Sequence, residues 1–122
     1  MHNTDSQRAT LRARRDIVKN ELVASLSRAS DDRSAALTDQ VHDTKDQAIA
    51  ALLLENDDAE VRRAATELQD IDAALARLSA GTYGRCIACG TQIPATRLSV
   101  YPTAKRCLPC QGDHERKNKA RT

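Results

Sequence analysis

Residues 81–110 read GTYGRCIACGTQIPATRLSVYPTAKRCLPC and hold all four cysteines of the chain. Cys86 and Cys89 form one C-x-x-C pair, Cys107 and Cys110 a second, with seventeen residues between the pairs. Each C-x-x-C is a tight turn that aims two sulfurs at one point, and two such turns supply the tetrahedron that Zn²⁺ prefers. Gly90, directly after the first pair, relieves crowding at the turn. Four thiolates fill the coordination sphere and leave no position for a catalytic water, so the expected ion is one structural zinc. Two disulfides or a redox pair are the competing readings. The doubled motif, in a chain whose first residues lack the apolar core of a signal peptide, favours metal in a reducing cytoplasm. His2, His42 and His114 are surplus to a site of four cysteines. His114 lies four residues past Cys110, where it is a conceivable substitute ligand, and reads more simply as a solvated histidine. A unit this small has little core, so zinc binding and its folding are expected to be one event.

Upstream of the finger the character is helical. Between Asp46 and Ala80, the positions Ala50, Leu54, Asp57, Val61, Ala64, Leu68, Ile71, Leu75 and Leu78 follow an unbroken 4-3-4-3 spacing with Asp57 the single polar member. That is a coiled-coil seam, and Gly81 stands where a left-handed C-cap belongs. A first helix is expected over about 6–40, where Pro and Gly are absent and Leu11, Val18, Leu22, Leu26, Ala29, Ala36 and Leu37 recur at mostly helical spacings. Arg15, Ser25 and Asp32 interrupt that seam. The economical cover for the second helix is the first, folded back through a turn near Val41–Lys45. The alternative is that the second helix dimerises and the first stands apart. The expected architecture is therefore mainly α: residues 1–80 form a long antiparallel helical hairpin with an acidic tip near 41–48. Residues 81–122 form the four-cysteine zinc finger and a basic tail that is a short helix or frays.

Composition agrees. Two Tyr, no Phe and no Trp leave a core of Ala, Leu, Val and Ile, with 30% charged residues, a mixture suited to helices packed along a seam. The net charge of +2 hides its distribution: residues 31–60 carry −7 between basic flanks. A protein that grips nucleic-acid phosphates would not place its most negative segment at its centre, whereas a basic or metal-containing partner suits it. No apolar run approaches the ~18 residues of a membrane span.

The segments Gly81-Thr-Tyr-Gly-Arg-Cys-Ile-Ala-Cys-Gly90, Ile93-Pro94, Arg97-Leu98, Pro102-Thr103-Ala104 and Cys107-Leu-Pro-Cys110 resemble the DksA/TraR zinc-finger family. Asp43-Thr-Lys-Asp46-Gln-Ala48 resembles the Asp-x-x-Asp-x-Ala hairpin tip of its DksA-like members, at the family's usual distance before the first cysteine. The match covers roughly residues 40–112, and the first helix resembles the family in pattern only. The resemblance implies a non-enzymatic transcription regulator that binds RNA polymerase directly and makes no sequence-specific DNA contact. Its hairpin would enter the secondary channel and bring Asp43, Asp46 and Ala48 toward the active centre to modulate initiation. Asp46 is equally suited to cap the second helix.

One departure from the family stands out. DksA-like members bind the alarmone ppGpp with basic side chains at positions that are here Asp70, Tyr101 and Gln111. Without cations there, pairing with a pyrophosphate is poor, so no ppGpp response of the DksA kind is expected. Arg97, Lys105, Arg106, Arg116 and Lys117 are other sources of positive charge. The remaining expectation is a monomer. Alternative functions are Gre-like stimulation of transcript cleavage through a Mg²⁺ held at the tip, or nucleic-acid binding by the finger.

Overall fold

The computed structural model describes residues 4–28 and 58–120. Within them lie four helices: α1 (Thr4–Arg28), α2 (Ala59–Ala80), α3 (Ala95–Val100) and α4 (Leu108–Ala120). The sole pairing of extended backbone among the described residues is an isolated antiparallel bridge between Arg85 and Gln92, so the architecture is mainly α, as expected. The turn near Val41–Lys45, the tip residues Asp43, Asp46 and Ala48, and the seam positions Ala50, Leu54 and Asp57 lie outside the described residues.

The chain divides into two compact units, residues 1–72 and 73–122, with the division falling inside α2. In the first unit α1 and α2 run antiparallel. Arg14 and Arg15 in the middle of α1 bond Glu67 and Asp72, while Arg28 at its end reaches Glu60. α1 buries Leu11, Val18, Leu22, Ser25 and Leu26. α2 buries Val61, Ala64, Ala65, Leu68 and Ile71 on the same side of the division.

Three details differ from the sequence reading. First, α2 begins at Ala59, directly after Asp58, and residues 46–57 of the expected helix lie outside the described residues. The Asp58 carboxylate accepts the backbone N–H groups of Glu60 (2.9 Å) and Val61 (3.1 Å), an N-cap that starts a helix where the 4-3-4-3 pattern runs straight through. Second, the stripe buried along α2 is wider than a strict seam. Ala65 and Ala74 are fully buried and Leu75 only half so, the broader face of a helix with 3.6 residues per turn. Third, Arg15 and Ser25, the polar interruptions of α1 among the described residues, have partners, while Asp32, Ala29, Ala36 and Leu37 lie outside those residues. Arg15 Nε lies 2.8 Å from Asp72 Oδ1, and buried Ser25 accepts a bond from Arg28 at 3.1 Å.

In the second unit α2 ends as the sequence predicts. Gly81 takes φ +78°, Thr82 N–H bonds the Arg77 carbonyl at 2.9 Å, and Gly81 N–H bonds that of Leu78 at 3.3 Å. This pair of bonds is a Schellman cap. Beyond it a small core of Cys86, Ile93, Leu98 and Ala104 is packed by Tyr83, Cys107 and Cys110. The Tyr83 hydroxyl donates to the Pro102 carbonyl at 2.8 Å, tying the two loops that flank that core. Among the described residues no helix is long and apolar enough to cross a membrane.

Candidate metal centre

Two short-range devices bring the four cysteines together. The first pair sits on a backbone knuckle. Ile93 N–H bonds Gly84 O at 2.7 Å, Cys86 N–H bonds Thr91 O at 2.8 Å, and Gly90 N–H closes the turn on Cys86 O at 2.9 Å. Gly90 takes φ +77° there, a conformation that carries little cost without a Cβ. The second pair opens α4. Pro109 falls in the first turn, where its missing N–H costs no helical bond, and Gln111 N–H reaches back to Cys107 O at 2.9 Å. A further bond from Ile87 N–H to Lys105 O, 2.9 Å, stitches the first knuckle to the segment entering the second.

The four Sγ atoms all lie within 4.8 Å of one another, and none is in a disulfide. Cys89 and Cys107 Sγ are 3.7 Å apart. A sulfur tetrahedron around zinc, with Zn–S near ~2.3 Å, has edges of about 3.8 Å, so the thiols already stand at coordinating distance. Cys86 is buried, Cys107 and Cys110 are half-buried, and Cys89 is exposed.

Electrostatics orders the thiols. Burial works against a thiolate at Cys86, but backbone N–H donors from Cys107, Cys89 and Ala88 outweigh it and bring its pKa down to about 6. Cys89 is lowered chiefly by the Thr91 hydroxyl, whose Oγ1 lies 2.9 Å from Sγ. Cys110 is pushed up to about 12 by the neighbouring sulfurs, Cys107 foremost. Negative charge accumulates from the first knuckle, and the last thiol yields its proton only to a cation at the centre. The donor set fits a structural Zn²⁺ held by Cys86, Cys89, Cys107 and Cys110. With four thiolates bound it offers no open position for chemistry.

Thr91 is a supporting residue that the spacing argument missed; its place two residues beyond Cys89 was the available signal. His114 is half-buried on α4, 3.2 Å from the Asn118 side chain, and stands outside the sulfur cluster. Of Asp70, Tyr101 and Gln111, which stand where the resemblance implies basic groups, Asp70 is half-buried. Tyr101 lies under the Arg97 guanidinium, 5.3 Å from the ring centroid, and Gln111 donates to Glu115 at 3.2 Å. The predicted tip residues Asp43, Asp46 and Ala48 belong to the segment outside the described residues.

Residues 81–116 match a family described as the prokaryotic dksA/traR C4-type zinc finger. An uncharacterised protein of Aquifex aeolicus is 41% identical over 51 residues, which are 42% of this chain and 35% of that one. A second, from Haemophilus influenzae, is 48% identical over 50 residues, 41% of this chain and 63% of the other. The chain thus spans less than two thirds of the length of these curated relatives. Transcription factor DksA2 from Pseudomonas aeruginosa is similar in structure with a TM-score of 0.59 and 27% identity, over 95% of this chain and 85% of that one.

Proposed function

This chain carries the C4 zinc finger of the DksA/TraR family, and from that premise we propose that it regulates transcription by binding RNA polymerase directly. The observation that carries the reading is the likeness to a transcription factor, which extends along nearly the whole chain and is not confined to the finger. Paired antiparallel helices, as α1 and α2 are, have the slenderness that entry into the polymerase secondary channel requires. In this reading the Asp43 and Asp46 carboxylates reach the active centre and bias the positive groups and Mg²⁺ there, in a setting of low dielectric where single charges count. Ala48 keeps the approach close. The protein acts without catalysis of its own, as a monomer in the cytoplasm. The zinc ion holds the finger's fold.

ppGpp does not act through Asp70, Tyr101 and Gln111 in this reading, because none of them offers a cation to a pyrophosphate. The test is capture of RNA polymerase from lysate by wild type and by Asp43→Asn/Asp46→Asn, followed by transcription from a panel of promoters in vitro. Capture by both proteins, with a shift in promoter output from wild type alone, is the expected result. Equal promoter output from wild type and the tip variant would remove the channel mechanism. Failure of both to capture polymerase would remove the partner.

A further inference from the structure

A groove of about 320 Å³ runs across the finger between the first knuckle and α4. Ile87 and Ala88, the two residues between the first pair of ligands, form one side. The other is a stripe of α4: Cys110, Asp113, His114 and Lys117, at the i, i+3, i+4, i+7 spacing of a single helical face, with Arg106 also lining it. Ile87 is 57% exposed. It stands between Cys86 and Cys89, and its backbone N–H is tied to Lys105 O at 2.9 Å. Four of the five exposed large hydrophobics among the described residues belong to the finger unit: Ile87, Val100, Tyr101 and Leu108.

The same unit is strongly basic. Residues 73–122 hold nine Lys/Arg and two acidic residues, a formal +7, while residues 1–72 carry −5. At the groove, Arg106, Lys117 and His114 face one acid, and that acid, Asp113, is already paired with Arg116.

We propose that this groove is a docking site for an acidic protein segment bearing an aliphatic side chain. The aliphatic group would rest on Ile87 and Ala88, and its flanking carboxylates would meet Arg106 and Lys117. Charge complementarity selects the acidic partner, and the exposed Ile87 supplies an apolar anchor that charge alone would not need. A nucleic acid fits less well. No Phe, Tyr or Trp lines the groove to stack a base, and the aliphatic wall of Ile87 and Ala88 offers a phosphate backbone nothing to pair with. Both sides of the groove carry zinc ligands, Cys86 and Cys89 bracketing one and Cys110 standing in the other, so loss of the ion should separate them. The ion thereby acquires a second consequence: it assembles a recognition surface. This inference concerns the finger alone and does not depend on the tip mechanism.

The test uses full-length, zinc-loaded protein and two fluorescein-labelled probes followed by anisotropy. One is a Glu-rich peptide of about ten residues carrying two Leu, the other a single-stranded oligonucleotide of similar length. Saturable binding of the peptide is expected, weakened about tenfold by Ile87→Ser and about tenfold by Arg106→Glu/Lys117→Glu, and abolished by chelation. Zinc content is measured for every variant. Should any variant lose zinc, Lys117→Glu alone decides, because that exposed residue lies two helical turns beyond Cys110. Absence of saturable peptide binding overturns the proposal, as does wild-type affinity in Lys117→Glu. Oligonucleotide binding as tight as the peptide's, and unmoved by Ile87→Ser, would overturn it in favour of a phosphate surface.

Discussion

Arg15 and Asp72, 57 positions apart, meet at 2.8 Å with side chains only 22% and 23% exposed. Arg15 falls where the seam of α1 calls for an apolar residue, so this ion pair sits at the edge of the helix interface and outside bulk solvent. Removing one partner strands the other charge. Arg15→Ala is expected to destabilise the helical unit by about 1–3 kcal/mol, read as a lower urea midpoint at unchanged slope. Arg15→Leu/Asp72→Leu should recover most of that loss, since both charges leave together. A double variant no more stable than the single would show that the pair contributes more than its own compensation. By contrast, Arg14 and Glu67, at 47% and 34% exposure, should be worth under ~1 kcal/mol despite their good geometry.

Zinc removal should unfold the finger and spare α1 with the start of α2. The apolar core beyond α2 has four buried members, Cys86, Ile93, Leu98 and Ala104, too few to hold loops this long without the ion. Amide spectra of the chelated protein should lose the dispersed signals of residues 82–119 and keep those of residues 5–27. A dispersed apo finger would contradict the coupling of metal and fold.

The pH dependence of zinc affinity follows from the thiols. Cys110, at about 12, is protonated at neutral pH until zinc displaces that proton, whereas Cys86, at about 6, is already largely thiolate. Binding therefore releases protons, and lowering the pH returns them to sulfur and weakens the site. Competition with a chromophoric chelator at two pH values a unit apart should show affinity falling about tenfold per displaced proton toward acid. An affinity independent of pH would refute binding through thiols that must first give up their protons.

Gly84 and Gly81 both have positive φ, but they should tolerate alanine differently. A Cβ on Gly84 would lie 3.3 Å from Leu98 Cδ1, in the finger core, while one on Gly81 meets no atom within 4 Å. Gly81→Ala should cost about 1 kcal/mol through backbone strain alone. Gly84→Ala should cost more, about 2–3 kcal/mol, because Leu98 must also move. Equal thermal shifts for the two variants would indicate that Leu98 yields freely.

Tyr83 ionises above the usual tyrosine range because burial disfavours its phenolate, with Arg77 partly opposing. Its hydroxyl bond to Pro102 is 2.8 Å. Tyr83→Phe should lower finger stability by about 1 kcal/mol and remove a phenolate signal that appears at unusually high pH. A stable Tyr83→Phe variant with unchanged melting would mean that water satisfies the Pro102 carbonyl equally well.

The parts legible in sequence are those governed by neighbours a few residues away. Two C-x-x-C turns, a glycine after a helix, and Val61, Leu68 and Ile71 at helical intervals each announce their structure because the physics is local: a knuckle, a left-handed cap, a face of one helix. The ligands Cys86, Cys89, Cys107 and Cys110 and the Schellman cap at Gly81 were readable for that reason. Asp58 is a local capping signal as well, but the apolar period continues across it and masks the helix start.

Other features depend on how distant segments are registered, and no window of sequence contains them. Arg15 looked like a flaw in α1 until the antiparallel register set it against Asp72. Leu75 held the seam position, yet Ala74 is the buried residue, since burial follows the partner surface and not hydropathy alone. Ile87, Arg106 and Lys117 read as a spacer, a surface charge and part of a basic tail. Only the closing of both knuckles on one point makes them the walls of a groove. A mainly helical protein with a four-thiolate zinc finger follows from turns and periods that each segment sets alone. Tertiary structure decided which polar residues pair across the helices and which surface the finger presents, because both depend on the alignment of segments tens of residues apart.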